Sequence, residues 1–204
     1  MILSVPLSGQ KVNSLTPEEQ KAGWVLLFNG KDFTGWRQYN GIKMPKNWII
    51  EDNAMKVFTA AHKRPGRGSG GDIIFSAKKF RNFELSVDWK TSRKGNSGIF
   101  YNVREVPGKA IYYAAPEVQI LDNANASDNK TGSHLAGSLY DMLAADPKTV
   151  KPAGEWNTIA FIRPISSLRF CIVSIQASVF STLFTPRLKK PTAGLMISGK
   201  VKLL

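Results

Sequence analysis

The chain has 204 residues, of which 43% are hydrophobic and 21% are charged. This composition indicates a globular protein rather than a disordered one, and the length fits a single domain. No apolar run approaches the roughly 18 residues that a membrane-spanning helix requires. We therefore expect neither a disordered chain nor a membrane span.

The net charge of +13 raises the question of nucleic-acid binding. Residues 156–204 contain seven Lys and Arg and no Asp or Glu, which leaves 21 basic and 15 acidic residues in 1–155. The basic residues of this last segment are scattered without a period, whereas a nucleic-acid site gathers them on one face. We therefore expect no nucleic-acid partner.

The first predicted element is a short helix that ends near Gly23. Thr16 is suited to its N-cap, Pro17 to its first position, and Glu19 to a capping box with Thr16. Short strands separated by turns follow it, at Trp24–Phe28, Trp48–Ile50, Met55–Phe58, Asp72–Phe75, Phe83–Lys90, Ile99–Arg104, Pro116–Leu121, Gly137–Tyr140 and Trp156–Ile162. Such repeated strands with almost no helical periodicity favour an all-β sandwich or jelly roll.

Two of these strands have the strongest pattern. Phe83–Lys90 alternates apolar residues with Glu84, Ser86, Asp88 and Lys90, and Pro116–Leu121 repeats the alternation with Glu117 and Gln119. Since successive side chains of a strand point to opposite faces, we expect a sheet with one face on the core. Its other face would present carboxylates and amides. Simple solvation of that polar face is the alternative, as in many antiparallel sheets.

Six phrases of the chain form a recognisable set: LLFNGKDFTGW, FRNFELSVDWK, GNSGIFYNV, PEVQILDN, HLAGSLYDM and PAGEWNT. Together they resemble the 3-keto-disaccharide hydrolase domain family over about residues 15–162. The resemblance implies a concanavalin A-like jelly-roll β-sandwich whose concave sheet binds a carbohydrate. It also implies cleavage of glycosides already oxidised to a ketone at C3, a periplasmic or secreted location, and a divalent metal in some members. Residues 1–14 are then expected to be a leader or linker, although no basic n-region marks a signal peptide.

After GEWNT the chain departs from the family pattern. Residues 163–204 lack the W-L-N-G-type hairpin and the closing strand that the resemblance calls for, and they contain the lone Cys171. This acid-free composition is typical of translation in a shifted reading frame, so we interpret residues 163–204 as an aberrant tail. We therefore expect a jelly roll that is incomplete at its C-terminus, with exposed sheet edges. A chain with an incomplete jelly roll could also be an inactive copy of the enzyme.

The chemistry of a 3-keto-glycoside defines the candidate site. A base must remove the acidified hydrogen at C2, an electrophile must hold the enolate oxygen, and an acid must protonate the leaving group. The candidate catalytic residues are Glu117, His134 and Asp122, with His134 singled out by its near-neutral unperturbed pKa. The candidate substrate-binding residues are Glu84, Asp88, Asn96, Ser97, Gln119, Tyr140 and Asp141.

Each candidate also has a purely structural interpretation. Asp88 could form a surface ion pair, Asn96 and Ser97 could serve only their turn, and Asp122 could cap a loop. No H-x-x-x-H spacing is present, so no cofactor is certain; a divalent metal, if used, would be held by His134 with Glu117 or Asp122. Trp36, Trp48 and Tyr101 could stack on a sugar, although aromatics in a sandwich more often form core.

Two functions remain open at this point. The first is an enzyme that cleaves 3-keto-glycosides, and the alternative is a non-catalytic carbohydrate-binding jelly-roll module. A glycosidase with paired carboxylates is a weaker third, because Glu117 and Gln119 are not two acids.

Overall fold

The structure, a computed structural model, describes residues 13–57, 71–80, 83–163, 174–176 and 195–203. Its helix is α1 (Pro17–Lys21), and short 3₁₀ helices lie at Ile111–Tyr113, Gly132–His134 and Pro147–Thr149. Its strands are β1 (Trp24–Leu26), β2 (Trp36–Gln38), β3 (Trp48–Glu51), β4 (Ala54–Val57), β5 (Ile73–Phe75), β6 (Phe83–Lys90), β7 (Asn96–Phe100), β8 (Glu117–Leu121), β9 (Asn157–Arg163), β10 (Ser174–Gln176) and β11 (Leu195–Leu203). The expected leader or linker at 1–14 lies outside the described residues except for its last two positions.

The strands form two antiparallel sheets. One sheet has the order β3-β4-β11-β6-β9, with β1 paired to β11, and the other has the order β2-β5-β10-β7-β8. The predicted all-β jelly-roll sandwich is thereby confirmed. Among the described residues, no helix has the length and apolar character needed to cross a membrane.

Helix α1 begins as its sequence predicts. The Glu19 N–H donates to Thr16 Oγ1 at 3.2 Å, and the Thr16 N–H donates to Glu19 Oε2 at 3.0 Å, which completes the capping box. Gly23 follows with φ +84°, a left-handed conformation that glycine adopts without steric cost. The helix therefore stops where the sequence indicates.

The main core lies between the two sheets. Phe83, Leu85, Val87 and Trp89 of β6 are at most 4% exposed, and in the other sheet the strand β8 contributes Val118 and Ile120. The alternation predicted for β6 is confirmed, since only its apolar side chains are buried, whereas in β8 the polar Gln119 is buried as well. Burial of such side chains is the dominant favourable term in folding.

Trp36 and Trp48 belong to this core as well. The Trp36 indole N–H donates to the Leu27 carbonyl at 2.6 Å, and the Trp48 indole N–H donates to the Gly71 carbonyl at 3.0 Å. Both rings are almost fully buried, at 6% and 3% exposure. They are core residues, and neither face is open to a sugar.

A second, smaller cluster covers part of the outer face of the five-stranded sheet. It consists of Tyr39, Ile74, Phe100, Val103 and Ile111. Ile74 and Phe100 occupy one row of this sheet, since both pair with Ser174 of the strand between them. Their neighbours Ile73 and Ile99 belong to the main core, so Ile74 and Phe100 point away from it. The loop that carries Ile111 is thus fixed onto the sheet from outside.

The prediction that residues after about 163 form no closing strands is wrong. β10 lies between β5 and β7, and β11 lies between β4 and β6. The residues Leu195–Leu203 alternate Leu, Ile, Gly, Val and Leu with Met, Ser, Lys and Lys, which is the period of a strand. The lack of acids across the tail had masked this alternation. The interpretation of 163–204 as a frame-shifted tail stays a prediction.

Candidate active site

The two most strongly patterned strands lie in different sheets. β6, which carries Glu84 and Asp88, belongs to the six-stranded sheet, whereas β8, which carries Glu117 and Gln119, is an edge of the five-stranded sheet. Both strands bury their apolar residues in the shared core, so their polar residues point to opposite sides of the sandwich. The prediction that all four polar residues share one sheet face is therefore wrong. Alternation shows which side chains face outward, but not which strands are neighbours.

The outer face of the five-stranded sheet, which we call the Glu117 face, is built around Glu117 and Gly98. Glu117 pairs with Phe100, and Gly98 pairs with Gln119, so the four residues lie on one face. A Cβ at Gly98 would lie 1.9 Å from Glu117 Oε1. The Glu117 carboxyl group therefore lies across the Gly98 backbone, in space that any other residue would fill.

The pKa of the Glu117 carboxyl group is raised from 4.5 to about 8. Burial is the largest cause, and the negative charges of Asp72 and Asp128 add to it. Asp72 reaches this face at the start of β5, where its carbonyl accepts the Tyr39 N–H at 2.7 Å. Glu117 is therefore mostly protonated at neutral pH and exchanges its proton within the physiological range.

His134 lies between two carboxylates. Its Nδ1 is 2.8 Å from Asp128 Oδ1, and its Nε2 is 2.6 Å from Asp141 Oδ1. The hydrogen bond to Asp141 and then the one to Asp128 raise the pKa of the imidazole. With an acceptor at each nitrogen, the ring is suited to the protonated form, which donates from both.

Tyr140 connects this group to the Glu117 face. Its ring stacks on His134 with centroids 4.2 Å apart, and its hydroxyl group donates to Asp128 Oδ2 at 2.9 Å. Its backbone N–H donates to the Glu117 carbonyl at 2.9 Å, which places it beside β8. Burial, followed by the bond to Asp128, raises the pKa of the Tyr140 hydroxyl group. We call Asp128, His134, Tyr140 and Asp141 the His134 cluster.

Asp122 has a different environment. It is buried, its Oδ2 accepts the Lys94 N–H at 2.7 Å and the Asn125 amide at 3.0 Å, and its Oδ1 accepts the Ala124 N–H at 3.2 Å. Its carboxylate thus binds the turn before β7 and the loop after β8. The structural interpretation of Asp122 accounts for all of these contacts, and its catalytic role stays a prediction.

The remaining candidates divide between the two faces of β7 and β8. Gln119 lies next to Glu117 on the same face and is buried, with its backbone paired to Ser138. Asn96 shares that face with Gly98 by alternation, whereas Ser97 is buried and points toward the core. The structure therefore brings together Glu117, Gln119, His134, Tyr140 and Asp141, and it places Asn96 farther along the β7–β8 pair, opposite Leu121. Glu84 and Asp88 lie in the other sheet, Ser97 points toward the core, and Asp122 binds its own turn and loop.

The described residues do not fit a divalent ion. Within them, no three His, Cys, Asp or Glu side chains are arranged to hold a metal. Both nitrogens of His134 already face carboxylates, and both oxygens of Asp122 accept hydrogen bonds from its own loop. The pairing of His134 with Glu117 or Asp122 as metal ligands is not the arrangement observed, and we assign no step to a metal.

Two members of the site were not predicted from the sequence. Asp72 precedes a short strand, and Asp128 lies in a loop rich in Asn, Asp and Ser. Neither residue has a local pattern that distinguishes it from a solvated acid. Their importance comes from tertiary proximity, because both act on the Glu117 carboxyl group from distant segments.

Residues 23–163 match the 3-keto-alpha-glucoside-1,2-lyase-like domain family, and the chain belongs to that family. A 3-keto-disaccharide hydrolase of Bacteroides thetaiotaomicron is 43% identical over 166 residues, which cover 76% of this chain and 57% of the relative. The chain therefore spans little more than half the length of that relative.

Solved structures show the same architecture. A candidate glycosyl hydrolase of Parabacteroides distasonis is 26% identical, with a TM-score of 0.73 over 95% of this chain and 100% of that one. A second candidate glycosyl hydrolase of the same organism is 18% identical, with a TM-score of 0.58 over 89% of this chain and 99% of that one. The second likeness concerns the fold alone.

Proposed function

We propose that this chain binds a carbohydrate on the Glu117 face and cleaves glycosides that carry a ketone at C3. The observation that carries the proposal is the Glu117 carboxyl group, which lies over Gly98 with its pKa raised to about 8. Perturbed carboxyl groups of this kind are concentrated at functional sites. Membership of the family and the 43% identical hydrolase support the choice of substrate.

The reaction begins at the hydrogen on C2. The C3 ketone acidifies this hydrogen, and its removal sends the electron pair toward the C3 oxygen as an enolate. The enolate then re-forms the ketone, a C1–C2 double bond forms, and the C1–O bond breaks. The departing oxygen takes a proton and leaves as an alcohol. Addition of water across the double bond would complete a hydrolysis.

Glu117 is the base in this proposal. A carboxylate whose pKa lies near 8 is a stronger base than an ordinary one, and it is still partly ionised at neutral pH. After accepting the C2 proton, the same group can deliver it to the departing oxygen. One residue thereby serves as base and then as acid, and no other proton source is required.

The His134 cluster supplies the electrophile. The protonated ring donates to Asp141, whose side chain is 71% exposed and is therefore the more easily displaced of its two partners. The C3 oxygen can replace Asp141 as acceptor, so that the positive charge stabilises the enolate. Asp128 keeps the other nitrogen and the Tyr140 hydroxyl group in position.

The proposal is tested with the purified chain, 3-keto-trehalose and unoxidised trehalose. We expect turnover of the keto sugar alone, with kcat/KM rising with pH toward 8 as Glu117 ionises. Glu117→Gln and His134→Ala should each lower turnover at least tenfold, the low end of acid–base contributions. Glu18→Gln, which changes an exposed carboxylate on α1, is the matched control and should leave turnover unchanged.

Two results would contradict the proposal. Wild-type turnover by the folded Glu117→Gln variant would remove Glu117 from the chemistry. Binding of the keto sugar without turnover by the wild-type chain would instead favour the alternative, a carbohydrate-binding module.

A further inference from the structure

Tyr112 and Tyr113 are the most exposed aromatic side chains among the described residues, at 58% and 69%. Their rings lie 4.7 Å apart between centroids, with an interplanar angle of 33°. We call this pair the tyrosine platform. Adjacent aromatic rings left in solvent are uncommon unless they contact a ligand or a partner.

The platform is fixed to the sheet that carries Glu117. Its 3₁₀ helix begins at Ile111, which is fully buried in the cluster on the outer face of the five-stranded sheet. In that cluster, Phe100 is the direct strand partner of Glu117. Burial of Ile111 therefore fixes the tyrosine platform on the same side of the sheet as Glu117.

The chain between the platform and Glu117 is short. Only Ala114, Ala115 and Pro116 separate Tyr113 from Glu117. Four residue steps span at most about 14 Å even when fully extended. The Ala114 N–H also donates to the Ile111 carbonyl at 2.9 Å, which turns the chain back. The platform thus lies within reach of one ligand that also contacts Glu117.

The electrostatics agree with this placement. The pKa of Tyr112 is raised chiefly by Tyr113 and also by the charge of Asp72. Asp72 is likewise one of the two charges that raise the pKa of Glu117. One carboxylate is therefore near both groups, which links them through space as well as along the chain.

We propose that the tyrosine platform binds the sugar ring on the leaving-group side of the scissile bond. A pyranose has an apolar C–H face that packs on an aromatic ring, and hydroxyl groups at its edge that need polar partners. The ammonium group of Lys109 lies 5.6 Å from the centre of the Tyr113 ring and supplies hydrogen-bond donors for those hydroxyl groups. The platform would thereby favour 3-keto-glycosides whose leaving group is itself a ring over those with an acyclic leaving group.

This inference rests on the proposed function, since it takes Glu117 as the point of cleavage. Its test compares 3-keto-trehalose with methyl 3-keto-α-glucoside, which has no second ring. We expect the Tyr112→Ala/Tyr113→Ala double variant to raise KM for the disaccharide at least tenfold. For the methyl glycoside, kcat/KM should change less than twofold. The Tyr112→Phe/Tyr113→Phe variant keeps both rings and should restore most of the affinity.

Trp156→Ala is the matched control. This side chain is also exposed, at 39%, but it lies beside Lys90 of the other sheet. Removal of this side chain should change the kinetic constants for neither substrate. Equal effects of the double alanine variant on both substrates, or no effect on either, would overturn the inference.

Binding distinguishes failure of this inference from failure of the proposed function. In the Glu117→Gln background, calorimetry with the two keto sugars needs no turnover. Suppose that the wild-type chain cleaves neither sugar but that loss of the tyrosines still weakens binding of the disaccharide alone. The proposed reaction is then refuted, and the tyrosine platform is supported as a binding site. If the disaccharide binds as well without the tyrosines as with them, the platform is refuted whether or not the chain is an enzyme.

Discussion

At the level of single residues, the position of the Glu117 side chain requires a glycine at position 98. The carboxyl group of Glu117 occupies the space that a side chain at position 98 would take, and burial in that space is the main cause of its raised pKa. The position of Glu117 on a polar face could be predicted from the alternation of its strand. Its proton affinity could not, because Asp72 and Asp128 approach it from segments far away in the sequence.

The raised pKa of Glu117 makes a prediction about stability. The folded chain holds this proton up to about pH 8, whereas the reference carboxyl group loses it near 4.5. The contribution of Glu117 is thus most favourable below pH 4.5 and is lost as the pH rises to 8. Over that interval the free energy of unfolding should fall by up to about 1.4 kcal/mol per pH unit through this group.

Urea unfolding of the wild type and of Glu117→Gln between pH 5 and 9 measures this effect. Glutamine keeps the shape of the neutral acid and cannot ionise, so the variant should gain stability relative to the wild type as the pH rises. Glu155→Gln, at an exposed position, should run parallel to the wild type. Parallel curves for Glu117→Gln would mean that the carboxyl group ionises as freely as one in water.

At the level of elements, the bounds of the strands could be predicted from the sequence, but the pairing between strands could not. The bounds of β6 match the predicted Phe83–Lys90, and β8 begins one residue after the predicted start at Pro116. Alternation is a local property and reports which side chains are buried. Pairing depends on contacts between distant segments, which is why Glu84 and Glu117 were assigned to one face and lie on two.

The carboxylate of Asp122 joins the turn before β7 to the loop after β8, so we predict that its loss lowers stability. Asp122→Asn removes a charged acceptor shared by Lys94, Ala124 and Asn125, so it should lower the free energy of unfolding by about 1–3 kcal/mol. Turnover of the folded variant should stay within threefold of the wild type. Urea unfolding and steady-state kinetics on the same preparation measure both quantities.

Asp146→Asn, in a different loop, provides the comparison for Asp122→Asn. Asp146 is an exposed cap that accepts the Lys148 N–H at 3.0 Å, so its loss should cost under about 1 kcal/mol. A tenfold drop in turnover for Asp122→Asn at unchanged stability would instead support the catalytic role that the sequence suggested.

At the scale of the whole molecule, the strand β11 holds the six-stranded sheet together. It pairs with β4 on one side and, for most of its length, with β6 on the other, and its end also pairs with β1. The sequence predicted the sandwich from its short strands but assigned this segment to a tail. Composition dominated that interpretation, whereas the alternation of Leu195–Leu203 was the physically relevant signal.

Truncation before Leu195 is the third prediction. Without β11, the strands β4 and β6 lose their common partner and expose unpaired backbone groups. We expect the truncated chain to lose its cooperative thermal transition, as followed by circular dichroism, and to bind a dye for exposed apolar surface. A cooperative transition at the wild-type temperature would show instead that the sheet is complete without this strand.

The pairing of Trp24 with Lys202 also has a consequence for synthesis in the cell. A ribosome adds roughly 5–20 residues per second, so β1 waits on the order of ten to forty seconds for its partner to be made. During that interval the nascent chain carries strands that have no neighbour, and contacts this distant in sequence form slowly. Yield in a host cell should therefore respond to chaperone supply and to the rate of translation.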